Sequence, residues 1–343
     1  MTGPWTEEAF LEFLRVPHNR YVAWRALLTR IRTPRAYQAL LNMFRDLREA
    51  DYGLAQLTAI NLLELEETRK QMAALLWEDF GRETDRWSLI NYAGPALEHL
   101  ACLETAEVRN TLLQVALRDD RYSGEHEARL SAIDGVARFN PQRAFDAARR
   151  LMLAQFPLRE KCPERLLRYN AEEALPVFEG VLKEGDDFLL LAAIGEALDR
   201  AGLASPMQGW IRSPSLDLAR GACFAAEAMR WTEDLDQALV DRIRDTDGDV
   251  REAAKDALEA IRRYRKVEPL ISALRSERDS ARLWALVDAA VEIGYPGVVS
   301  GYGRDRWFGE LNAIVPPSLQ RHALKLLEKR RKELRETLQK RKP

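Results

Sequence analysis

The chain has 343 residues, 46% hydrophobic and 31% charged, with only 18 Gly and 15 Pro; this excludes disordered and collagen-like chains and allows two ordinary globular domains or one elongated array. Lys and Arg number 52 against 54 Asp and Glu, a formal charge of -2, so no global basic field drives indiscriminate binding to phosphate backbones. Three cysteines, Cys102, Cys162 and Cys223, are too few and too far apart for a disulfide framework or a metal-binding pair, and fit a reducing compartment. The N-terminal residues lack a basic segment followed by an apolar one, and no apolar run is long enough to cross a bilayer. A cytoplasmic chain with no membrane contact is expected.

In chain order, nearly every segment places apolar residues at i, i+3, i+4 and i+7, and period-two alternation is absent. Residues 1–103 read as divergent helix pairs, with a start at Thr33-Pro34 and weaker second helices over 51–65 and 83–100. Residues 104–293 read as more regular pairs. There the dipeptides Asn140-Pro141, Ser205-Pro206 and Ser213-Pro214 predict further helix starts: a side-chain oxygen caps an orphan N–H, and proline takes the first helical position, where its missing donor costs nothing.

Self-similarity is the strongest signal. Arg220, Arg251 and Arg282 recur at one fixed step, each preceded by Ala219, Val250 or Ala281 and followed three positions on by Cys223, Ala254 or Ala285. Pro176, Met207, Ala238 and Pro269 follow the same step, so residues 174–293 predict four helix pairs in one register, with Pro269 in the first helix of the last. Such pairs cannot bury their apolar faces alone, and stacking them makes a continuous core. The expected fold is a single all-α, right-handed solenoid of about nine helix pairs. A Gly-rich loop, 294–303, and C-terminal capping helices with a basic tail, 304–343, close the chain.

The segment Asp247-Gly248-Asp249-Val250-Arg251-Glu252-Ala253-Ala254-Lys255-Asp256-Ala257-Leu258 resembles the second helix of a HEAT repeat, in particular the short bacterial type of phycobilin lyases. The resemblance implies a structural ladder in which an acidic turn residue and the following arginine tie the turn to the neighbouring helix. It assigns that role to Asp217, Arg220, Asp249, Arg251, Asp279 and Arg282. Leu189 takes the arginine position in the earliest registered unit, which breaks the ladder there. The family implies a scaffold, adaptor or binding domain, with a minority of enzymes; the fold by itself does not decide function. Residues 267–330 are also similar to helical arrays fused to prokaryotic signalling NTPases, including defence proteins.

Residue constellations that carry chemistry are mostly absent from the sequence. The four histidines, His18, His99, His126 and His322, form no H-E-x-x-H pair, and there is no nucleophile elbow, C-x-x-C or phosphate loop. No catalytic, cofactor or metal site is expected. Two enzyme alternatives come from resemblance alone: a phycobilin-lyase-like protein, and a HEAT-like alkyl-base DNA glycosylase working with Trp, Asp and Arg on a basic concave surface. Charge argues against the second. The tail 320–343 holds ten Lys and Arg against three Glu, net +7, leaving 42 against 51 in the rest. Nucleic acid is therefore not expected as a partner outside that tail.

Three features stand out as partner-binding candidates. The loop 294–303 offers Tyr295 and Tyr302, followed by Arg304 and Trp307, to a partner, with helix capping and connection as the structural alternative. The basic helix in 319–338 reads as a solvated end-cap or as a hook for an acidic protein or a nucleic acid. At the register position of Lys255 the neighbouring repeats carry Phe224 and Leu286. Those helices are either deeply buried or form an apolar groove on the inner surface that holds a peptide or helix. Trp5, Trp24, Trp77, Trp87, Trp210, Trp231 and Trp284 read mostly as packing residues. The expected role is a non-catalytic scaffold that grips a protein on its concave face.

Overall fold

A computed structural model describes residues 6–47, 51–81, 87–117, 126–154 and 157–276, with Val287 and Lys325 as isolated positions. Every regular element among them is helical. The chain forms two compact units, Met1–Leu158 and Arg159–Pro343, and their boundary falls inside the 104–293 block.

The first unit holds α1 (Glu7–Leu14), α2 (Arg20–Ala26), α3 (Pro34–Leu47), α4 (Tyr52–Glu64), α5 (Glu66–Phe80), α6 (Trp87–Ala93), α7 (Ala106–Leu117), α8 (His126–Ala137) and α9 (Pro141–Leu153). A π-helical turn, Leu27–Ile31, follows α2, and a 3-10 segment, Gly94–Leu103, follows α6. Thr33 and Asn140 cap α3 and α9 as expected, accepting from Ala36 N and Arg143 N. Thr6 and Asp51 cap α1 and α4 in the same way. Neighbouring helices pack in chain order, α3 on α4 and α4 on α5, while α8 lies between α7, α9 and the 3-10 segment. That position explains its composition: Ala128, Leu130, Ala132, Ile133 and Val136 are buried on all sides. Gly135 lets the backbone of Glu98 approach, since a Cβ there would sit 3.1 Å from Glu98 Cα.

The second unit holds α10 (Cys162–Tyr169), α11 (Ala171–Glu184), α12 (Phe188–Arg200), α13 (Ala204–Ile211), α14 (Leu216–Ala226), α15 (Glu233–Arg242) and α16 (Gly248–Ser276). One row runs α12, α14, α16; α13 and α15 pack on each other and on α14 and α16 respectively, and α11 crosses α14. This is the stacked-pair arrangement of an all-α helical-repeat solenoid. Two glycines set the closest approaches: a Cβ on Gly195 would lie 1.9 Å from Ala225 O, and one on Gly221 2.0 Å from Leu182 O.

Caps again mark the starts, with Asn170, Asp187, Ser215, Thr232 and Asp247 each accepting from a backbone N–H two or three residues on. Two proline signals are displaced. α13 begins at Ala204, two residues before Pro206, and α14 begins at Leu216 with Ser215, not Ser213, as its cap. The register also predicts a break before Pro269, yet α16 runs unbroken for 29 residues to Ser276. The physical reason lies in the connector. Residues 262–268, Arg-Arg-Tyr-Arg-Lys-Val-Glu, supply no Gly, Asn, Ser or Asp to stop one helix or cap the next.

Candidate protein-binding face

The face formed by α12, α14 and α16 carries the described part of the predicted site. Asp187 caps α12 through Leu189 N and Leu190 N and pairs with Arg159. This fixes the helix start and leaves Phe188 and Leu189 outward, 45% and 53% exposed. The Phe188 ring meets Phe224 of α14 edge to face, with centroids 4.8 Å apart at 88°, a favoured aromatic geometry. Leu216, at the start of α14, is also exposed. Phe224 itself is half-buried and backs the exposed Phe188 ring, and Leu189 is exposed next to Phe188 in the first turn of α12.

Toward α16 the face becomes polar. Arg220 reaches Asp217 at 3.6 Å and Asp249, on the next registered helix, at 3.8 Å. Arg251 donates from Nη1 to Asp245 O at 3.1 Å, within its own turn. Lys255 is half-exposed and paired with Glu252 at 2.6 Å, so it interrupts the apolar surface instead of continuing it. The Arg220 contacts are long and solvent-facing and contribute little to stability. Leu189 shows what the missing ladder arginine leaves: an exposed leucine in its place. Leu286, Tyr295, Tyr302, Arg304, Trp307, Asp279 and Arg282, with the Gly-rich loop and basic tail, lie outside the described residues.

Stronger ties between repeats come from residues outside the predicted ladder. Arg242 donates to Ile211 O at 2.5 Å and to Ser213 O, and pairs with Asp245 at 2.6 Å, stitching the 211–213 turn to the 245 turn. Asp199, nine-tenths buried, accepts from both the backbone and the side chain of Arg230. The separations 199 to 230 and 211 to 242 are both 31 residues, the step of the arginine recurrence. The shared step is the one signal the sequence carries for them, and it does not say which residues at that step lose water.

One cluster brings tryptophan, acid and arginine together. Trp231 Nε1 donates to Asp236 Oδ1 at 3.1 Å, and Arg262 holds both carboxylate oxygens at 2.6 Å. The Arg265 guanidinium lies 3.7 Å over the Trp231 ring. The Arg262 hydrogen bonds hold the Asp236 carboxyl below the usual carboxylate range. A carboxylate so clamped is a poor proton acceptor, and the indole face beside it is covered, so the cluster acts as a latch between α15 and α16.

Cys162 and Cys223 are buried, and burial pushes the Cys223 thiol up to about 12. Among the described residues no three His, Cys, Asp or Glu side chains converge as metal ligands, and no helix is long and apolar enough to cross a membrane.

No family model and no curated protein matches the chain. Among solved structures, it is similar to a protein described as engineered, at 17% identity over 94% of this chain and 92% of that one, with a TM-score of 0.25. It is also similar to a designed armadillo repeat protein, at 17% identity over 75% of this chain and 100% of that one, with a TM-score of 0.18. Superpositions this loose say nothing of function, and the helical-repeat assignment rests on the helix packing described above.

Proposed function

We propose that this chain is a non-catalytic, HEAT-type scaffold or adaptor that grips a protein partner on the α12–α14 face. The observation carrying this reading is the exposed Phe188, set edge to face on the half-buried Phe224, with the exposed Leu189 next to it in the chain. Apolar side chains in the first turn of a helix are not needed for folding when they face water, whereas aromatic anchors in rigid surroundings concentrate binding energy at interfaces. The resemblance of 267–330 to arrays fused to signalling NTPases suggests an assembly of that kind as the setting. The glycosylase-like alternative finds its Trp and Asp together at Trp231 and Asp236, but with the carboxylate already occupied by Arg262.

The test is affinity capture from the native cell extract with quantitative mass spectrometry, comparing wild type, Phe188→Glu/Leu189→Glu and a matched control, Leu117→Glu, at another exposed leucine. Both substitutions should leave stability within about 1 kcal/mol. The double variant should lose one dominant protein that the control retains. Equal recovery by all three, or recovery that nuclease abolishes, removes the reading.

A further inference from the structure

Besides the basic tail, the formal charge of -2 conceals a second uneven stretch. From Phe13 to Arg45 the chain carries seven arginines and no Asp, Glu or Lys. Two of these, Arg25 and Arg30, line a groove of about 640 Å³ in the first unit together with Phe10, Tyr21, Val22 and Thr29. The volume is that of a small-ligand site, about 300–1,000 Å³. Local geometry explains why both guanidiniums reach it. Residues five apart on an α-helix point about 140° away from each other, but the π-helical turn Leu27–Ile31, closed by Arg32 N to Leu27 O, widens the winding there. The wider turn narrows that angle and puts Arg30 on the side of Arg25. Such π turns recur at functional sites.

The groove has two kinds of recognition element. Arg25 and Arg30 are exposed, and neither guanidinium has an acidic partner among the described residues. Tyr21 is 53% exposed and stacks on buried Trp24, with centroids 5.5 Å apart and an interplanar angle of 27°. Trp24 thus fixes an aromatic face that stands beside two planar cations. Guanidinium forks match phosphate oxygens, and a fixed ring face matches a nucleobase. A carboxylate-rich peptide would meet the arginines but leave the stacking face without a flat partner. Basic groups also stand beyond one nucleotide's reach: Arg15 and Arg20 line a second groove of about 420 Å³ between α1, α2 and α3, alongside Asp46 and an Arg35 that pairs with Glu8 at 3.1 Å.

We propose that the Tyr21–Arg25–Arg30 groove binds single-stranded nucleic acid, with a base stacked on Tyr21 and phosphates on the two arginines. The contacts read no base edges, so binding is independent of sequence. The inference is separate from the protein-binding face of the second unit, and failure of either leaves the other standing.

The experiment is fluorescence anisotropy on the full chain with a fluorescein-labelled twelve-nucleotide oligothymidylate and its oligouridylate counterpart, across a salt series. Arg25→Ala/Arg30→Ala should weaken binding at least about tenfold and flatten the slope of log K against log salt by about 1.4, roughly 0.7 per lost phosphate contact. Tyr21→Ala should cost about 5- to 100-fold and Tyr21→Phe about twofold or less, because only the ring is needed. If Tyr21→Ala loses its fold, as its cover over Trp24 allows, the arginine pair and Tyr21→Phe carry the test. Four results would overturn the proposal: no binding at low salt; wild-type affinity in the double arginine variant, which assigns binding to the basic tail; thymidine monophosphate binding as tightly as the oligonucleotide; or an acidic peptide of equal length competing equally.

Discussion

The Asp199 carboxylate receives two hydrogen bonds from Arg230, one from its backbone N–H at 3.0 Å and one from Nε at 3.1 Å, and the Asp199 carbonyl accepts a third from Nη2 at 3.5 Å. Asp199 ends one helix of the α12–α14–α16 row, and Arg230 lies just beyond the end of the next. The pair therefore fixes how far α14 advances past α12. The two partners are not equivalent, since Asp199 is buried and Arg230 is half-exposed.

Asp199→Ala should lower the stability of the second unit by about 2–3 kcal/mol, because it leaves the part-buried Arg230 N–H without its acceptor and removes the carboxylate from the guanidinium. Arg230→Ala should cost only about 1 kcal/mol, because the backbone bond survives. Chemical denaturation of both variants measures the difference. Equal losses would mean that the side-chain ion pair, and not the backbone bond, holds the repeats together.

Gly195→Ala and Gly221→Ala should each destabilise the fold by about 2 kcal/mol or more. Their new methyl groups would collide with the carbonyls of Ala225 and Leu182, and backbone cannot give way as a side chain can. Gly180→Ala and Gly209→Ala, also helical but with nothing within 4 Å of the new atom, should stabilise by about 0.5–1 kcal/mol through helix propensity. Thermal melts of the four single variants check the opposite signs.

His99 gives the first unit an acid limit. Burial, aided by the Arg69 and Arg138 guanidiniums, pushes its imidazole down to about 4 from 6.5; Arg138 lies 3.4 Å from Nδ1 and Glu98 3.5 Å from Nε2. The folded state therefore keeps His99 neutral while the unfolded chain takes up a proton. The contribution of His99 is full above pH 6.5 and is lost as pH drops from there toward 4. Urea midpoints measured through that window should fall in wild type and fall less steeply in His99→Gln. An imidazole that titrates near 6.5 by NMR in the folded protein would refute the assignment.

Helix content, the capped starts at Thr33 and Asn140, and the 31-residue step were legible in the sequence because each depends on residues close together in the chain or repeated at a fixed interval. The same step is what joins Asp199 to Arg230 and Ile211 to Arg242. The resemblance assigned Arg220 and Asp249 a structural role without pairing them, and the contact between the two came from the structure; the buried Asp199 and the stitching role of Arg242 were not legible. Acid and arginine are common on any helix surface, and only packing shows which of them lose water. The N-terminal arginine run was plainly present but was averaged away by a net charge taken over the whole chain.

The sequence by itself determined that this is a chain of paired helices with one recurring helix face, since the 3.6-residue period and the caps are local properties. Tertiary structure decided the rest. It turned Phe188 and Leu189 outward, set Phe188 against Phe224, ran α16 through a predicted break, clamped Asp236 with Arg262, and gathered Tyr21, Arg25 and Arg30 around one groove. Those outcomes depend on which helix lies against which, and on how closely a glycine lets two backbones approach. Neither is written in the spacing of residues along the chain.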